Sequence, residues 1–212
     1  MSLINASTIC KCGLGEQKIF LFTRMQQSYP VSAHNDPYGI IHAFELGILT
    51  ASCDGSYLTT LNAVMDKYPH LPQNVFEINI ELVPDNSISN AFLSTVLNDL
   101  IQQSRLRKLT LRNFKPDVLI STISTLRCQK NLQAVDFQNN SLATNNLLFV
   151  LRSLPAHPLD IELSGNRLTD ESKIVRHFLM HRKCLKSVKM LQQADATLSE
   201  HLFLAQFPNL VS

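Results

Sequence analysis

The chain has 212 residues, 45% hydrophobic and 17% charged, with a formal net charge of +2 and a mean hydropathy of +0.02. That is long enough for one sizeable domain or two small ones with a real core, and it excludes a disordered charged tail or a low-complexity chain. No apolar run reaches the roughly 18–20 residues of a membrane span, and leucine is in clear excess, 33 residues without a heptad pattern, which directs attention to internal repeats.

The N-terminus carries no basic segment followed by an apolar stretch, so no cleavable secretory signal is expected. Cysteines fall at positions 10, 12, 53, 128 and 184, an odd and sparse set that fits reduced thiols and a cytoplasmic setting. Residues 18–23 read as a strand and 28–38, with two prolines, Asn35 and Asp36, as loop. Ile41-x-x-Phe44-x-Leu46 reads as a loose strand signature, and 57–68 as a helix with Leu58, Leu61, Val64 and Met65 on one face. Residues 1–55 are expected to form a divergent N-terminal cap and 56–212 one continuous repeat array.

From Val75 onward strand and helix signatures alternate. Val75-x-x-Ile78-x-Ile80 is followed 31 residues later by Leu106-x-x-Leu109-x-Leu111. Leu132-x-x-Val135-x-Phe137-x-x-Asn140-x-Leu142 comes 26 residues after that, and Pro158-x-x-Ile161-x-Leu163-x-x-Asn166-x-Leu168 another 26. Leu185-x-x-Val188-x-Met190 follows after 27, and Leu210 falls where a further unit begins. Helices are expected between them: 89–103 with Phe92, Val96, Leu97, Leu100 and Ile101 inward, and one starting at Pro116. Further helices are expected with Leu147, Leu148, Leu151 and Leu154 inward, and with Ile174, Phe178 and Leu179 inward behind a Thr169 or Asp170 cap. A last helix is expected after Asp195.

These units resemble the leucine-rich repeat family, which opens each repeat with LxxLxLxxNxL. The match runs through the asparagine in two units; Phe114 stands in that slot in the unit before, with Asn113 one place early, and Gln193 in the unit after. The repeat lengths are similar to the ribonuclease-inhibitor-like class. The resemblance implies an α/β leucine-rich repeat solenoid of five or six units, with parallel strands on a concave face and helices on a convex one. It also implies that Asn140 and Asn166 form a buried structural ladder bonding neighbouring backbone, so that replacing either by Leu removes about 1–3 kcal/mol of stability.

The frame sends positions 3, 5 and 7 of each unit to the concave face: Glu77, Asn79 and Glu81; Lys108, Thr110 and Arg112; Ala134, Asp136 and Gln138; Asp160, Glu162 and Ser164; Ser187, Lys189 and Leu191. Adjacent parallel strands lie about 4.8 Å apart, so Glu77 can pair with Lys108 and Glu81 with Arg112. Such a face is either a solvated, salt-bridged surface or a docking surface. The resemblance implies the second, non-catalytic binding of a partner protein, with Glu81, Lys108, Arg112, Asp136, Gln138, Asp160, Glu162 and Lys189 as contact residues.

The other chemistries carry weaker signals. Basic residues crowd 173–189 and 105–115, but the aromatic residues among them, Phe178 on the inward helix face and Phe114 in the asparagine slot, are not placed as base-stacking platforms, so neither nucleic acid nor a membrane surface is the expected partner. His177 and His181 share a zinc-compatible spacing, yet Phe178 stands where HExxH needs Glu, and basic neighbours oppose a cation. Cys128 is expected as a small buried residue. No metal or cofactor is expected. The rival reading is an enzyme or metal-binding protein using Cys10, Cys12, His34 and His42 in the irregular N-terminal region. The apolar last residues leave room for end-on docking to a partner or a second copy. Compact chains of this kind, rich in Asn, Gln and Lys, look like effector proteins of intracellular bacterial pathogens. That resemblance implies a host protein as partner and secretion into the host without a cleavable signal.

Overall fold

A computed structural model describes residues 36–83 and 88–190, all within one unit of the chain, Val31–Ser212. The strand expected at 18–23, the helix after Asp195, and Cys10, Cys12, His34, Leu191 and Gln193 lie outside the described residues.

Among the described residues six α-helices and six strands alternate. The helices are α1 Pro37–Leu46, α2 Gly55–Lys67, α3 Asn90–Gln103, α4 Pro116–Ile123, α5 Thr144–Ser153 and α6 Glu171–His181. The strands are β1 Ile48–Cys53, β2 Glu77–Leu82, β3 Lys108–Arg112, β4 Ala134–Asp136, β5 Leu159–Glu162 and β6 Leu185–Lys189. They form a single all-parallel sheet in the order β1-β2-β3-β4-β5-β6, so every strand lies beside its sequence neighbour. Parallel neighbours need crossovers, and these keep one hand, which stacks consecutive helices on the same side of the sheet. Accordingly α2 packs on α3, α3 on α4, α4 on α5 and α5 on α6.

The helix limits follow from local chemistry. Asp54, Ser89 and Asp170 stand at helix N-termini, and their side chains accept from the backbone N–H of Tyr57, Phe92 and Lys173 at 3.0, 3.2 and 3.0 Å. Pro37 and Pro116 occupy first-turn positions, where a missing N–H costs nothing. At the end of α1, Gly47 adopts φ 76°, and an added Cβ would sit 2.4 Å from the Phe76 ring, so only glycine fits.

Alternation within the strands builds the core. Leu49, Ile78, Leu109, Val135 and Ile161 align across the sheet in register, all buried, and Ala51, Ile80 and Leu111 form a parallel row. Leu58, Leu61, Val96, Leu97, Leu100, Leu119, Leu147 and Phe178 close over these rows from the helices.

Several expectations change. Residues 41–46 are not a strand: Ile40 and Phe44, four apart, bury one face of α1. The repeat frame instead enters at Leu46-x-x-Leu49-x-Ala51, and β1 joins the sheet from within the stretch expected to be a cap. Leu93 takes the buried place expected for Phe92, while Leu148 is half-buried and Leu179 is 53% exposed. Cys128 is exposed, and its neighbour Gln129 is buried in its stead. The Gln129 amide donates to the carbonyls of Ile101 and Ser104 at 2.7 and 3.2 Å and accepts from the Leu106 N–H at 3.1 Å, tying the end of α3 to the approach to β3.

Candidate functional site on the strand face

The sheet surface away from the core is made by the alternate side chains of each strand. Register sets them in columns: Glu77 beside Lys108 beside Ala134 beside Asp160 beside Ser187, and Glu81 beside Arg112. A further column joins Asn79, Thr110, Asp136, Glu162 and Lys189. Of this set only Thr110 is buried. Six of the eight expected contact residues, Lys108, Asp136, Gln138, Asp160, Glu162 and Lys189, line one shallow groove of about 290 Å³ across β3 to β6. Glu81 and Arg112 lie beside it on the same face.

The charges are organised as cross-strand pairs. Lys108 Nζ lies 3.0 Å from Glu77 Oε1, as the spacing predicts, and the same oxygen accepts from Asn79 Nδ2 at 3.0 Å. The Glu81–Arg112 pair does not form. Arg112 turns to Asp136 instead, with Nε 3.2 Å from Oδ2 and Nη2 on the same oxygen, and this bond raises the guanidinium pKa above its ordinary value. Glu81 accepts from Asn113 Nδ2 at 3.0 Å. The cause is local: Asn113 sits in the left-handed region, φ 63°, and its amide reaches back over β2 to Glu81 and the Leu82 carbonyl.

Two carboxylates are anchored the same way. Asp136 Oδ1 accepts from the Gln138 N–H at 3.1 Å and Glu162 Oε1 from the Ser164 N–H at 2.9 Å, which leaves Asp136 Oδ2 for Arg112 and Glu162 Oε2 for Lys189 at 3.1 Å. Asp160 holds Lys186 at 3.1 Å and the Ser187 hydroxyl at 2.5 Å. Burial opposes ionisation of Asp160, but Ser187 and Lys186 outweigh it and keep the carboxyl below its usual range. Lys186 reaches it because the pairing of β5 and β6 slips by one residue between Leu159 and Asp160. Lys186 and Asn113 were not singled out as site residues by sequence; the 27-residue spacing before Leu185 was the available signal for the first.

The buried edge of the same units is a different kind of polar site. Asn140 and Asn166 are both fully buried. Asn166 Oδ1 accepts from the Asn140 and Leu142 N–H groups at 3.1 and 3.0 Å, and its Nδ2 donates to the Phe137 and Leu163 carbonyls at 2.9 and 2.8 Å. One unit earlier Asn140 Oδ1 accepts from the Phe114 N–H at 2.7 Å and Nδ2 donates to the Leu111 carbonyl at 2.8 Å. These amides satisfy backbone that the ending strands no longer pair.

Among the described residues no three His, Cys, Asp or Glu side chains come together as metal ligands, and no helix is long and apolar enough to cross a membrane. His42, the described member of the N-terminal candidate set, lies on α1 with Nδ1 3.7 Å from Glu45. Cys53 is buried, and burial raises its thiol far above the ordinary value. The basic run over 173–189 is divided: Lys186 and Lys189 are neutralised on β6, while His177 is buried under α6. Comparison with family models, curated proteins and solved structures gives no match.

Proposed function

We propose that the chain is a leucine-rich-repeat solenoid that recognises a partner protein, without catalysis, on its strand face. The observation that carries the reading is the strand face itself: polar side chains of successive strands stand in columns over a groove, reached by solvent and uncovered by any described helix. Exposed ion pairs contribute little stability, so the fold does not need this pattern. The frame from Leu46 to Val188, with two asparagines bonded across adjacent units, supports the family reading. The resemblance to pathogen effectors extends the proposal to a host protein as the partner, met in the cytoplasm after secretion.

A photo-crosslinking residue placed at Gln138, in the groove, and separately at Gln102, exposed on α3, tests the assignment in lysate of the natural host or source. Crosslinking of a discrete protein from position 138 and not from 102 is the expected result. Crosslinking from 102 alone places recognition on the helices and overturns it.

A further inference from the structure

We propose a second site, independent of the strand face: a groove along the edge where β3, β4 and β5 begin, which binds a phosphate monoester. The groove holds about 580 Å³ and is lined by Arg107, Lys130 and His157 together with the side-chain amides of Asn131 and Gln133. The three basic groups come from three successive units: Arg107 directly precedes β3, Lys130 lies in the approach to β4 and His157 in the approach to β5. Parallel strands are spaced about 4.8 Å apart, so the approaches span about 10 Å, a distance over which long side chains can reach one anion. Pro158, exposed at the groove, completes the wall and gives an organic group an apolar contact.

The charge here is uncompensated, which sets the groove apart from the strand face. No carboxylate lines it, and neither Arg107 nor Lys130 forms an ion pair among the described residues. Arg107 is restrained all the same: its Cζ lies 5.7 Å from the centroid of the Phe76 ring, a contact that uses none of the guanidinium donors. His157 Nε2 is covered and finds no hydrogen-bond partner among the described residues. Buried polar atoms rarely stay unsatisfied, and under the proposal a turn of the ring toward the groove would give this nitrogen an anion oxygen as partner.

The ligand class follows from the donors. A forked guanidinium matches the paired oxygens of a phosphate, and a second cation matches the dianionic charge that a carboxylate lacks. The groove has room beyond a bare phosphate, which fits a ligand carrying an organic body on one ester oxygen. A small phosphorylated metabolite and a phosphorylated side chain of a protein both present this group.

Nuclear magnetic resonance titration of the full chain, reading the His157 ring and the Arg107 Nε signals, tests the site. The probes are O-phosphoserine, a hexapeptide containing phosphoserine, and serine with sodium chloride at equal ionic strength. The expected result is a saturable shift with the phosphorylated probes only, weakened about tenfold by Arg107→Gln and by Lys130→Gln and unchanged by Lys108→Gln on the strand face. Arg107→Lys, which keeps the charge but loses the fork, should fall between. Tighter binding of the peptide than of the amino acid assigns the source to a protein; equal or weaker binding assigns it to a metabolite. Absence of a saturable shift, an equal shift with sodium chloride, or equal weakening by Lys108→Gln overturns the proposal.

Discussion

Glu162 and Asn166 lie four residues apart in the same unit, and both are polar, yet they do opposite work. Asn166 is fully buried and bonds backbone groups both of its own stretch and of the one before it. Glu162 stands on the strand face, where one oxygen takes the Ser164 N–H and the other pairs with an exposed lysine. Removing the first leaves backbone groups with no water to replace it, whereas water takes over at once for the second. The turn edge therefore holds the fold together, and the strand face, the proposed recognition surface, is free to vary.

The sharpest way to break that contrast is to empty the turn edge. Asn166→Leu removes the partner of two N–H groups and of the Phe137 carbonyl, and should lower unfolding free energy by about 2–4 kcal/mol in chemical denaturation. Asn140→Leu strands one of each and should cost about 1–3 kcal/mol. An unchanged denaturation midpoint for Asn166→Leu would remove the ladder from the account.

The left-handed position beside the ladder ranks next. Asn113, Asn139 and Gly165 recur at intervals of 26 with φ of 63°, 57° and 70°. A Cβ on Gly165 would approach Asn139 Oδ1 to 1.9 Å, in a backbone conformation that side chains disfavour. Gly165→Ala should therefore lower stability by about 1–2 kcal/mol, and Asn139→Gly should leave it within about 0.5 kcal/mol. A thermal-shift comparison that finds the two equal contradicts this strain.

A pH series sharpens the helix side. His177 is buried with neither ring nitrogen bonded among the described residues; burial first, then Lys173, His181, Arg176 and Arg152, hold its pKa below the ordinary 6.5. The unfolded chain thus takes up the proton first, so stability is full above pH 6.5 and declines as pH falls from there toward the folded value. Denaturation between neutral and mildly acidic pH should show that decline, and His177→Leu should flatten it. The smallest effect belongs to the strand face: Glu162→Gln or Asp136→Asn should cost about 0.2–1 kcal/mol, with a difference that shrinks in high salt.

The later strands were legible because period and burial coincide there: the inward rows follow from spacing, and the buried places of Asn140 and Asn166 from the resemblance. The first unit was misread because Ile40, Ile41 and Phe44 suit a helix as well as a strand, and because Ala51 fills a slot where a larger residue was sought. The 26-residue recurrence of Asn113, Asn139 and Gly165 stood in the sequence, but short polar residues in turns have many causes. Gln129 was missed because the 3-10 turn Ser124–Cys128 brings it inward past Cys128. The choice of Asp136 over Glu81 by Arg112 depends on the conformation of Asn113, and a charge pattern does not encode that.

The most direct test of the central claim is partner recovery by a Lys108→Glu/Arg112→Glu chain beside the unaltered protein, normalised to folded material. Recovery falling about tenfold or more while the melting temperature stays within a few degrees is the expected result, since both side chains are surface-paired. Equal recovery of the same partner by both chains would contradict recognition on the strand face.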